Sequence, residues 1–292
     1  MPTQSIIFHM PDSFVPKKPV IVTYPRVADS HAEADLIVAF LKAKGFDAPC
    51  GSLYDEGLRT RLKNKEFDVL IAVGGDGTML RAGHLCAPSG VPILGINFGR
   101  LGFLIQVERG EWREMLERLF KGEAWLEHRM MLYVQHIRAG EMLGNWHALN
   151  EAAVSRGANL KSIHLTASVD GRLLTSYVCD GLIASTATGS TAYALAAGGP
   201  ILPPDLRNIL LVPIAPHLSV DRAVVLSEGS SVSILVRSKN TVISVDGQAP
   251  MPLAEDDHVD IKAGEYTAQF VRFGDPGYFY RNLNEHMNTP QI

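Results

Sequence analysis

The chain has 292 residues, of which 46% are hydrophobic and 20% are charged, a composition that excludes a disordered, collagen-like or coiled-coil protein. At about 150 residues per domain, this length predicts two domains. With 27 basic and 31 acidic residues, the formal net charge is −4. The charge balance therefore gives no reason to expect nucleic acid or an anionic membrane as a partner.

Cysteine usage favours a reducing compartment, and we expect a cytoplasmic protein. Cys50, Cys86 and Cys179 are widely separated and form no C-x-x-C pair, which argues against a disulfide framework or a structural zinc site. The first residues lack the basic and apolar regions of a secretory signal. The 24 uncharged residues 181–204 could span a bilayer by length, but they are rich in hydroxyl groups, glycine and proline, so we expect no membrane span.

Short apolar runs alternate with helical patterns in the first part of the chain. This alternation predicts a parallel sheet covered by helices. Apolar runs predict strands, and apolar residues at helical spacing predict helices. The predicted elements are a strand at 19–24, a helix at 30–44, a strand at 67–73, a helix from Met79, a strand at 91–97 and a helix at 112–121.

After about residue 124 the pattern changes to short strands separated by Asn, Gly and Asp turns. Residues 163–169 alternate apolar and polar side chains, and Asp170-Gly171 is a hairpin signal. The sequence therefore predicts an all-β, antiparallel second half, whose last two strands, 257–263 and 266–273, lie on either side of Gly264. By composition alone, the last ~20 residues could belong to either half.

The strongest local signal is Gly74-Gly75-Asp76-Gly77-Thr78, which follows a predicted buried strand. Glycines let phosphate groups approach the backbone, and a helix N-terminus offers unpaired N–H groups to an anion. The Asp76 carboxylate could accept a proton from an attacking hydroxyl or help to hold magnesium. A D-G turn with Thr78 capping the next helix is the alternative. The segment lacks the Walker lysine and G-x-G-x-x-G spacing, so an ordinary P-loop and a hydride-transferring dehydrogenase are disfavoured.

Two polar residues, Asn150 and Glu151, lie between segments of β character. An amide and a carboxylate could bind sugar hydroxyls or a purine edge. An exposed turn is the more common reason for such a pair. In the loop that follows, we interpret Arg156 as solvated and Lys161 as a weak candidate for a phosphate contact.

The uncharged stretch that follows Asp180 carries four hydroxyl residues and a tyrosine around one glycine, at 186–193. A loop of this kind before a helix suits a polar ligand. A Ser/Thr-rich loop with a helix cap is the alternative. We interpret His217 as structural and residues 245–248 (VDGQ) as a hairpin turn.

Taken in order, these segments resemble the bacterial NAD kinase family. GGDG alone is shared with diacylglycerol, sphingosine and 6-phosphofructo-kinases, whereas the long block from 180 is far more specific. The matching segments are GGDGT at 74–78, GINFGRLGFL at 95–104, NE at 150–151, DGLIASTATGSTAYALAAGGPI at 180–201 and VDGQ at 245–248.

The resemblance implies a fold and a reaction. The fold would be an N-terminal Rossmann-like α/β domain (1–124) and a β-rich, β-sandwich-like domain (125–271), with a last segment (about 272–292) packing back on the first. The reaction would transfer the γ-phosphoryl group of ATP to the 2′-hydroxyl of the adenosine ribose of NAD, giving NADP. Magnesium or another divalent metal would be held mainly by the ATP phosphates. Family members are commonly homodimers or homotetramers, with NAD partly held across the subunit interface.

Carried over residue by residue, the resemblance implies that Asp76 accepts the proton and contacts NAD together with Gly77. Leu101 and Phe103 would line the pocket, and Asp246 is a lesser candidate for a metal or phosphate contact. The further candidate NAD-binding residues are Asn150, Glu151, Lys161, Asp180, Thr188, Thr191, Ala192, Tyr193, Ala194, Leu195, Ala196 and Gln248.

The chain departs from the family pattern at two positions. Ala187 stands where proline is usual, and Val178 stands where many relatives carry a basic residue. Two other functions stay open at this point. A lipid kinase of the GGDG superfamily would need an apolar acceptor site, which the polar residues above disfavour. A catalytically idle NAD-binding regulator would keep the fold without turnover.

Overall fold

The computed structural model describes residues 13–24, 30–99, 102–217 and 220–288, with side chains through residue 283. The chain forms two compact units. Unit 1 holds the described residues up to Glu127 and from Gln269 onward, and unit 2 is 128–268. The chain passes from one unit to the other within two long strands, β5 (Ala124–Arg138) and β16 (His258–Phe273). The predicted boundaries, 124/125 and 271/272, fall within these same two strands.

Unit 1 alternates strands and helices. Besides the ends of β5 and β16, its elements are β1 (Pro19–Thr23), α1 (Ser30–Ala43), β2 (Cys50–Ser52), α2 (Glu56–Lys63), β3 (Val69–Gly74), α3 (Asp76–Cys86), β4 (Ile93–Asn97), α4 (Trp112–Phe120) and α6 (Tyr278–Asn288).

The sheet of unit 1 is parallel, in the order β2-β1-β3-β4, and Phe270 of β16 pairs with Ile93 of β4 in the same direction. Every residue of β3 is buried, as expected for a strand covered on both faces. Val69, Ile71 and Val73 lie in one apolar cluster with α1 and α4. Because side chains alternate along a strand, Leu70 and Ala72 lie on the opposite face.

Unit 2 is almost entirely β structure. Its elements, besides the parts of β5 and β16, are β6 (Glu141–Ala148), β7 (Glu151–Arg156), β8 (Ile163–Val169), β9 (Arg172–Cys179), β10 (Gly181–Ser185), a 3₁₀ helix (Thr188–Thr191), α5 (Tyr193–Ala196), β11 (Asn208–Ile214), β12 (Val224–Ser227), β13 (Ser231–Val236), β14 (Thr241–Val245) and β15 (Met251–Leu253).

Two antiparallel layers enclose the core of unit 2. One has the order β12-β11-β10-β7-β14-β15, and the other contains β16-β13-β8-β9. One apolar cluster draws side chains from both layers, including Leu182 and Ala184 of β10 and Leu165 of β8. The alternate residue Ile183 faces the other way, against Ala194 of α5. This arrangement is a β-sandwich with one short helix on an outer face.

The predicted fold class is confirmed: an α/β unit precedes a β-rich unit. Three details differ. Helix α3 begins at Asp76 rather than near Met79, so the aspartate belongs to the first helical turn. The two predicted strands around Gly264 form one strand, β16. The short elements β2 and α2 were not predicted. Among the described residues, no helix has the length and apolarity that a membrane crossing requires.

Candidate active-site residues

Asp76 lies where the central strand of unit 1 ends. Strand β3 stops at Gly74, Gly75 adopts an extended conformation as the N-cap, and Asp76 is the first residue of α3. The parallel neighbours β1 and β4 end on the same side of the sheet. The carboxyl edge of an open parallel sheet is the usual place for a ligand. The half-buried Asp76 side chain is therefore in the position that the sequence predicted.

The Asp76 carboxylate is fixed by the loop that follows β4. Its Oδ2 accepts a hydrogen bond from the Phe103 N–H at 2.8 Å, and its Oδ1 accepts one from the Leu104 N–H at 3.2 Å. A Cβ atom at Gly102 would overlap the carboxylate, so this close approach requires glycine. These two N–H donors fix the orientation of the carboxylate. Leu101 lies outside the described residues.

Gly77, the other predicted contact in this motif, is exposed in the first turn of α3. Its carbonyl oxygen accepts a hydrogen bond from Arg81 Nη1 at 2.7 Å, and the Arg81 guanidinium lies 4.8 Å from the centre of the Tyr24 ring. Gly77 is therefore accessible to a ligand, and the positively charged Arg81 guanidinium lies against the first turn of α3.

Asp246, the metal candidate, has a different environment in unit 2. Its carboxylate accepts hydrogen bonds from three consecutive N–H groups, those of Leu149 (2.7 Å), Asn150 (2.9 Å) and Glu151 (2.9 Å). The residue is buried, with φ of +49° in the turn after β14. Its oxygens therefore fasten the turn between β6 and β7. In the described part of the chain, no group of three or more His, Cys, Asp or Glu residues could hold a metal ion.

Glu151 is a buried carboxyl group rather than part of an exposed turn. Its side chain is 7% exposed, and it accepts a hydrogen bond from the Tyr193 backbone N–H. Burial first, and the nearby charge of Asp246 second, raise the pKa of Glu151 to about 7. Its Oε2 atom has no hydrogen-bond partner among the described residues. Glu151 thus offers an unused acceptor close to the predicted NAD-binding loop.

The hydroxyl-rich segment packs directly on this turn. The Thr186 N–H donates to the Asn150 carbonyl oxygen at 2.8 Å, and Ser185 Oγ donates to the same oxygen at 3.1 Å. A Cβ atom at Gly189 would overlap that carbonyl, so the two backbones approach closely only because of glycine. The structure therefore brings the Asn150-Glu151 pair and the hydroxyl-rich segment together.

Some residues of the hydroxyl-rich segment serve packing rather than ligand exposure. Ser190 is fully buried, where its Oγ donates to the Ala187 carbonyl at 2.7 Å and accepts from the Leu202 N–H at 2.9 Å. Ala194 is fully buried in the apolar cluster behind α5. The remaining predicted contacts at 191–196 are partly or largely exposed, including Tyr193 at 44%.

Arg129 is a neighbour of this segment that the sequence analysis missed. Its Nη1 donates to Thr188 Oγ1 at 3.3 Å, and the whole side chain is buried. A basic residue directly before the apolar run 130–134 of β5 was the available signal. Ala187 has φ of −59°, a value that proline also adopts, so the alanine lies at a φ compatible with the proline that is usual there.

Arg156 is paired rather than simply solvated, which corrects our interpretation. Its Nε lies 3.1 Å from Asp180 Oδ1, and its Nη1 donates to the Asn159 carbonyl at 3.3 Å. Lys161 is exposed in the same loop. Gln248 is also exposed, two residues after Asp246.

His217 and Val178 are connected through the backbone, since the His217 N–H donates to the Val178 carbonyl oxygen at 2.6 Å. The bond uses only the backbone of His217, which is exposed, so the structural interpretation of this histidine stays a prediction. The Val178 side chain lies on β9 and is partly exposed.

Comparison with known proteins covers both units. A family model described as the ATP-NAD kinase N-terminal domain matches residues 32–124, and one described as the ATP-NAD kinase C-terminal domain matches residues 149–273. An NAD kinase from Heliobacterium modesticaldum is 40% identical over 232 residues, which are 79% of this chain and 81% of that protein. An NAD kinase from Symbiobacterium thermophilum is 42% identical over 226 residues, 76% of this chain and 79% of that protein.

Solved structures of NAD and NADH kinases are also similar to this chain. An NAD kinase from Archaeoglobus fulgidus in complex with ATP has a TM-score of 0.73 and 27% identity, and the match covers 93% of this chain and 99% of that one. Yeast NADH kinase complexed with NADH has a TM-score of 0.84 at 23% identity, covering 95% of this chain and 89% of that one. The second likeness shows the fold alone.

Proposed function

The chain belongs to the NAD kinase family, and we propose that Asp76 accepts the proton of the ribose 2′-hydroxyl as that oxygen attacks ATP. The reaction forms a bond between the 2′-oxygen and the γ-phosphorus and breaks the bond between that phosphorus and the β,γ-bridging oxygen, giving NADP and ADP. The observation that carries the proposal is the fixed Asp76 carboxylate. It lies at the carboxyl edge of the parallel sheet and is oriented by the Phe103 and Leu104 N–H groups.

Positioning and charge stabilisation supply most of the catalysis in phosphoryl transfer. Asp76 contributes to positioning because two N–H donors hold its carboxylate in one orientation. The carboxylate can then accept the proton of the incoming hydroxyl from one direction only. General-base assistance of this kind is typically worth about 10² to 10⁴ in rate. The N-terminus of α3 adds the positive end of a helix dipole, which favours nearby phosphate charge.

The second part of the proposal assigns NAD binding to unit 2. The unpartnered Oε2 of buried Glu151 is an acceptor suited to a ribose hydroxyl, and Asn150 is partly exposed beside it. The partly or largely exposed residues of the neighbouring segment supply further polar groups through their backbone and, at Thr191 and Tyr193, through side-chain hydroxyls; they are Thr191, Ala192, Tyr193, Leu195 and Ala196. Asp180, Gln248 and Lys161 extend this set. All of these residues are proposed contacts with the polar parts of NAD.

The divalent ion of the reaction enters, in this proposal, with ATP. Magnesium is commonly held by substrate phosphates, water and only one or two carboxylates. The Asp246 carboxylate already accepts three backbone N–H groups, so the proposal leaves the ion to the ATP phosphates and water. When bound, the ion neutralises phosphate charge. The residues of the chain orient the hydroxyl and accept its proton.

We further propose a homodimer or homotetramer that works in the cytoplasm. Support for the assembly is the family resemblance, in which NAD is partly held across the subunit interface. The three free cysteines are consistent with a reducing compartment. Light scattering on a size-exclusion column measures the assembly directly, and a monomer at micromolar concentration would contradict it.

A coupled assay tests the reaction. Purified protein is incubated with magnesium, ATP and NAD, and NADP is measured with an NADP-specific dehydrogenase. We expect magnesium-dependent NADP formation. Saturable NAD binding without NADP, with ATP or polyphosphate as donor, would instead support a catalytically idle NAD-binding regulator.

A further inference from the structure

A buried ionic cluster lies behind the loop that holds Asp76, entirely within unit 1. At its centre is Arg272, near the end of β16, whose side chain is 1% exposed. Its Nε donates to Glu127 Oε2 at 2.8 Å. Tyr278, the first residue of α6, donates its hydroxyl to the same carboxylate, at 3.1 Å from Oε1 and 3.0 Å from Oε2. The Arg272 guanidinium also lies 4.9 Å from the centre of the Tyr278 ring.

The same arginine contacts the loop after β4. Arg272 Nη1 donates to the Leu104 carbonyl oxygen at 3.0 Å, while the Leu104 N–H donates to Asp76 Oδ1 at 3.2 Å. Both backbone polar groups of Leu104 are thus occupied, one by the proposed proton acceptor and the other by the arginine. Two residues later, Gln106 exchanges two hydrogen bonds with the backbone of Phe273, at 2.9 and 3.0 Å.

We propose that Arg272 is a positioning residue for Asp76. It fixes Leu104, and through Leu104 the N–H groups that orient the Asp76 carboxylate, while Glu127 and Tyr278 hold the guanidinium in place. The inference rests on the proposed role of Asp76. It gives the C-terminal helix α6 a part in the reaction, although none of its described side chains is among the predicted contacts with NAD.

Stability alone does not account for this cluster. A buried ion pair is often no more stabilising than an apolar pair of the same size, because both charges lose their hydration. The guanidinium, however, presents a rigid fork of donors that an apolar side chain lacks. Here the fork reaches two acceptors at once, a carboxylate and the Leu104 carbonyl. Only the second of these bonds connects it to the loop that contacts Asp76.

The test replaces both members of the buried ion pair in one variant, Arg272→Met with Glu127→Gln. Neither partner is then left as an unpaired buried charge. Arg138→Met with Asp257→Asn is the control: half-exposed Arg138 donates two hydrogen bonds to buried Asp257 in unit 2, at 2.7 and 2.9 Å, and no hydrogen bond among the described residues joins this pair to the loop that contacts Asp76. We expect the first pair to lower kcat by about 10-fold or more, since small misplacements are costly, with KM for NAD and ATP unchanged within about twofold. The control pair should change kcat by less than about twofold.

A double-mutant cycle with Asp76→Asn separates positioning from general stabilisation. If Arg272 acts through Asp76, the paired substitution lowers kcat no further in the Asp76→Asn background. An equal loss in both backgrounds, a changed KM, or an equal loss in the control would overturn the inference. Wild-type turnover in Asp76→Asn itself would overturn the proposed function instead.

A milder variant keeps the test decisive if the paired substitution does not fold. Tyr278→Phe keeps the ring and removes only the hydroxyl that donates to Glu127. We expect a fall in kcat of about two- to fivefold, consistent with one hydrogen bond acting at a distance, and no fall in the Asp76→Asn background. An unchanged kcat in Tyr278→Phe, together with an unfolded paired variant, would assign the cluster to stability alone.

Discussion

Asp76 in unit 1 and Asp246 in unit 2 invite direct comparison, because each carboxylate accepts hydrogen bonds from the backbone of a loop distant in sequence. Asp246 accepts three, from residues 149–151, and is 8% exposed. Asp76 accepts bonds from Phe103 and Leu104 and is only half-buried at the end of a parallel sheet. The same chemistry therefore gives one buried carboxylate that holds a turn and one carboxylate on a residue that stays partly exposed at the edge of the sheet.

The sequence motif of a carboxylate in a glycine-containing turn therefore does not by itself reveal the role of that carboxylate. G-D-G around Asp76 and V-D-G around Asp246 read alike. What separates them is how much of each carboxylate stays accessible after its backbone partners are bound. Substitutions in unit 1 and in unit 2 can therefore be distinguished by whether they lower stability or turnover.

Removing the Asp246 carboxylate should have the largest effect, a loss of folding stability. We expect Asp246→Ala to lower the free energy of unfolding by about 3 to 5 kcal/mol, because three N–H groups lose a charged acceptor and two of them belong to buried residues. Asp256→Ala is the control, since Asp256 also has positive φ, +68°, but lies exposed in a turn. Urea unfolding measures both. An equal, small loss in the two variants would remove the distinction between Asp76 and Asp246.

Crowding the oriented carboxylate should affect turnover instead. A Cβ atom at Gly102 would overlap Asp76, so Gly102→Ala must displace the carboxylate or the loop. We expect kcat to fall by about 10²-fold, the usual cost of a misplacement near 1 Å. At Gly99 in the same loop, a Cβ atom meets nothing within 4 Å, so Gly99→Ala should retain activity. Steady-state kinetics on the two variants decide the matter, and equal activity would show that the Asp76 geometry is not critical.

The buried carboxyl group of Glu151 should make stability depend on pH. Folding raises its pKa from 4.5 to about 7, so the folded state binds this proton more tightly than the unfolded state. Its effect on stability is therefore most favourable below about pH 4.5, declines as pH rises to about 7, and is constant above that.

Glu151→Gln removes this titration. We expect the variant to gain about 2 kcal/mol over the wild type at pH 8 and much less at pH 5, in urea unfolding at both values. Glu141→Gln, at an exposed position on β6, should change stability equally little at both pH values. A gain that is the same at pH 5 and pH 8 would show that Glu151 does not titrate in this range.

The smallest effect is expected at Gly189, where the hydroxyl-rich segment packs against the backbone of Asn150. Gly189→Ala places a Cβ atom against the Asn150 carbonyl, which should shift the hydroxyl-rich segment and raise KM for NAD by about 10-fold. Gly229→Ala is the control, because a Cβ atom there meets nothing within 4 Å. If KM for NAD is unchanged in Gly189→Ala, this segment does not depend on its close approach to Asn150.

The sequence predicted what depends on local pattern. The apolar run of β3 followed by glycines predicted a buried parallel strand with Asp76 at its end, since both features lie within ten residues. The alternation from 163 to 169 and the Asp170-Gly171 turn likewise predicted the hairpin of β8 and β9. These features need no knowledge of distant contacts.

What the sequence did not predict depends on contacts across long separations. Asp246 meets its three N–H donors 95 to 97 residues away, and Arg272 meets Leu104 168 residues away. Glu151 is buried because residues 185–189 pack against its turn, which no pattern around 150 indicates. Gly264 suggested a break between two strands, but strand β16 continues through it. The glycine allows a close approach to the Met131 carbonyl within the sheet, a contact that the local pattern does not indicate.

The most direct test of the account is the rate of NADP formation by Asp76→Asn, measured with ATP, NAD and magnesium beside its thermal unfolding. The substitution keeps the size of the side chain and one carbonyl acceptor but removes the base. The account predicts turnover reduced by at least about 10²-fold, with an unfolding temperature close to that of the wild type. Turnover within a few-fold of the wild type would contradict the role of Asp76 as proton acceptor.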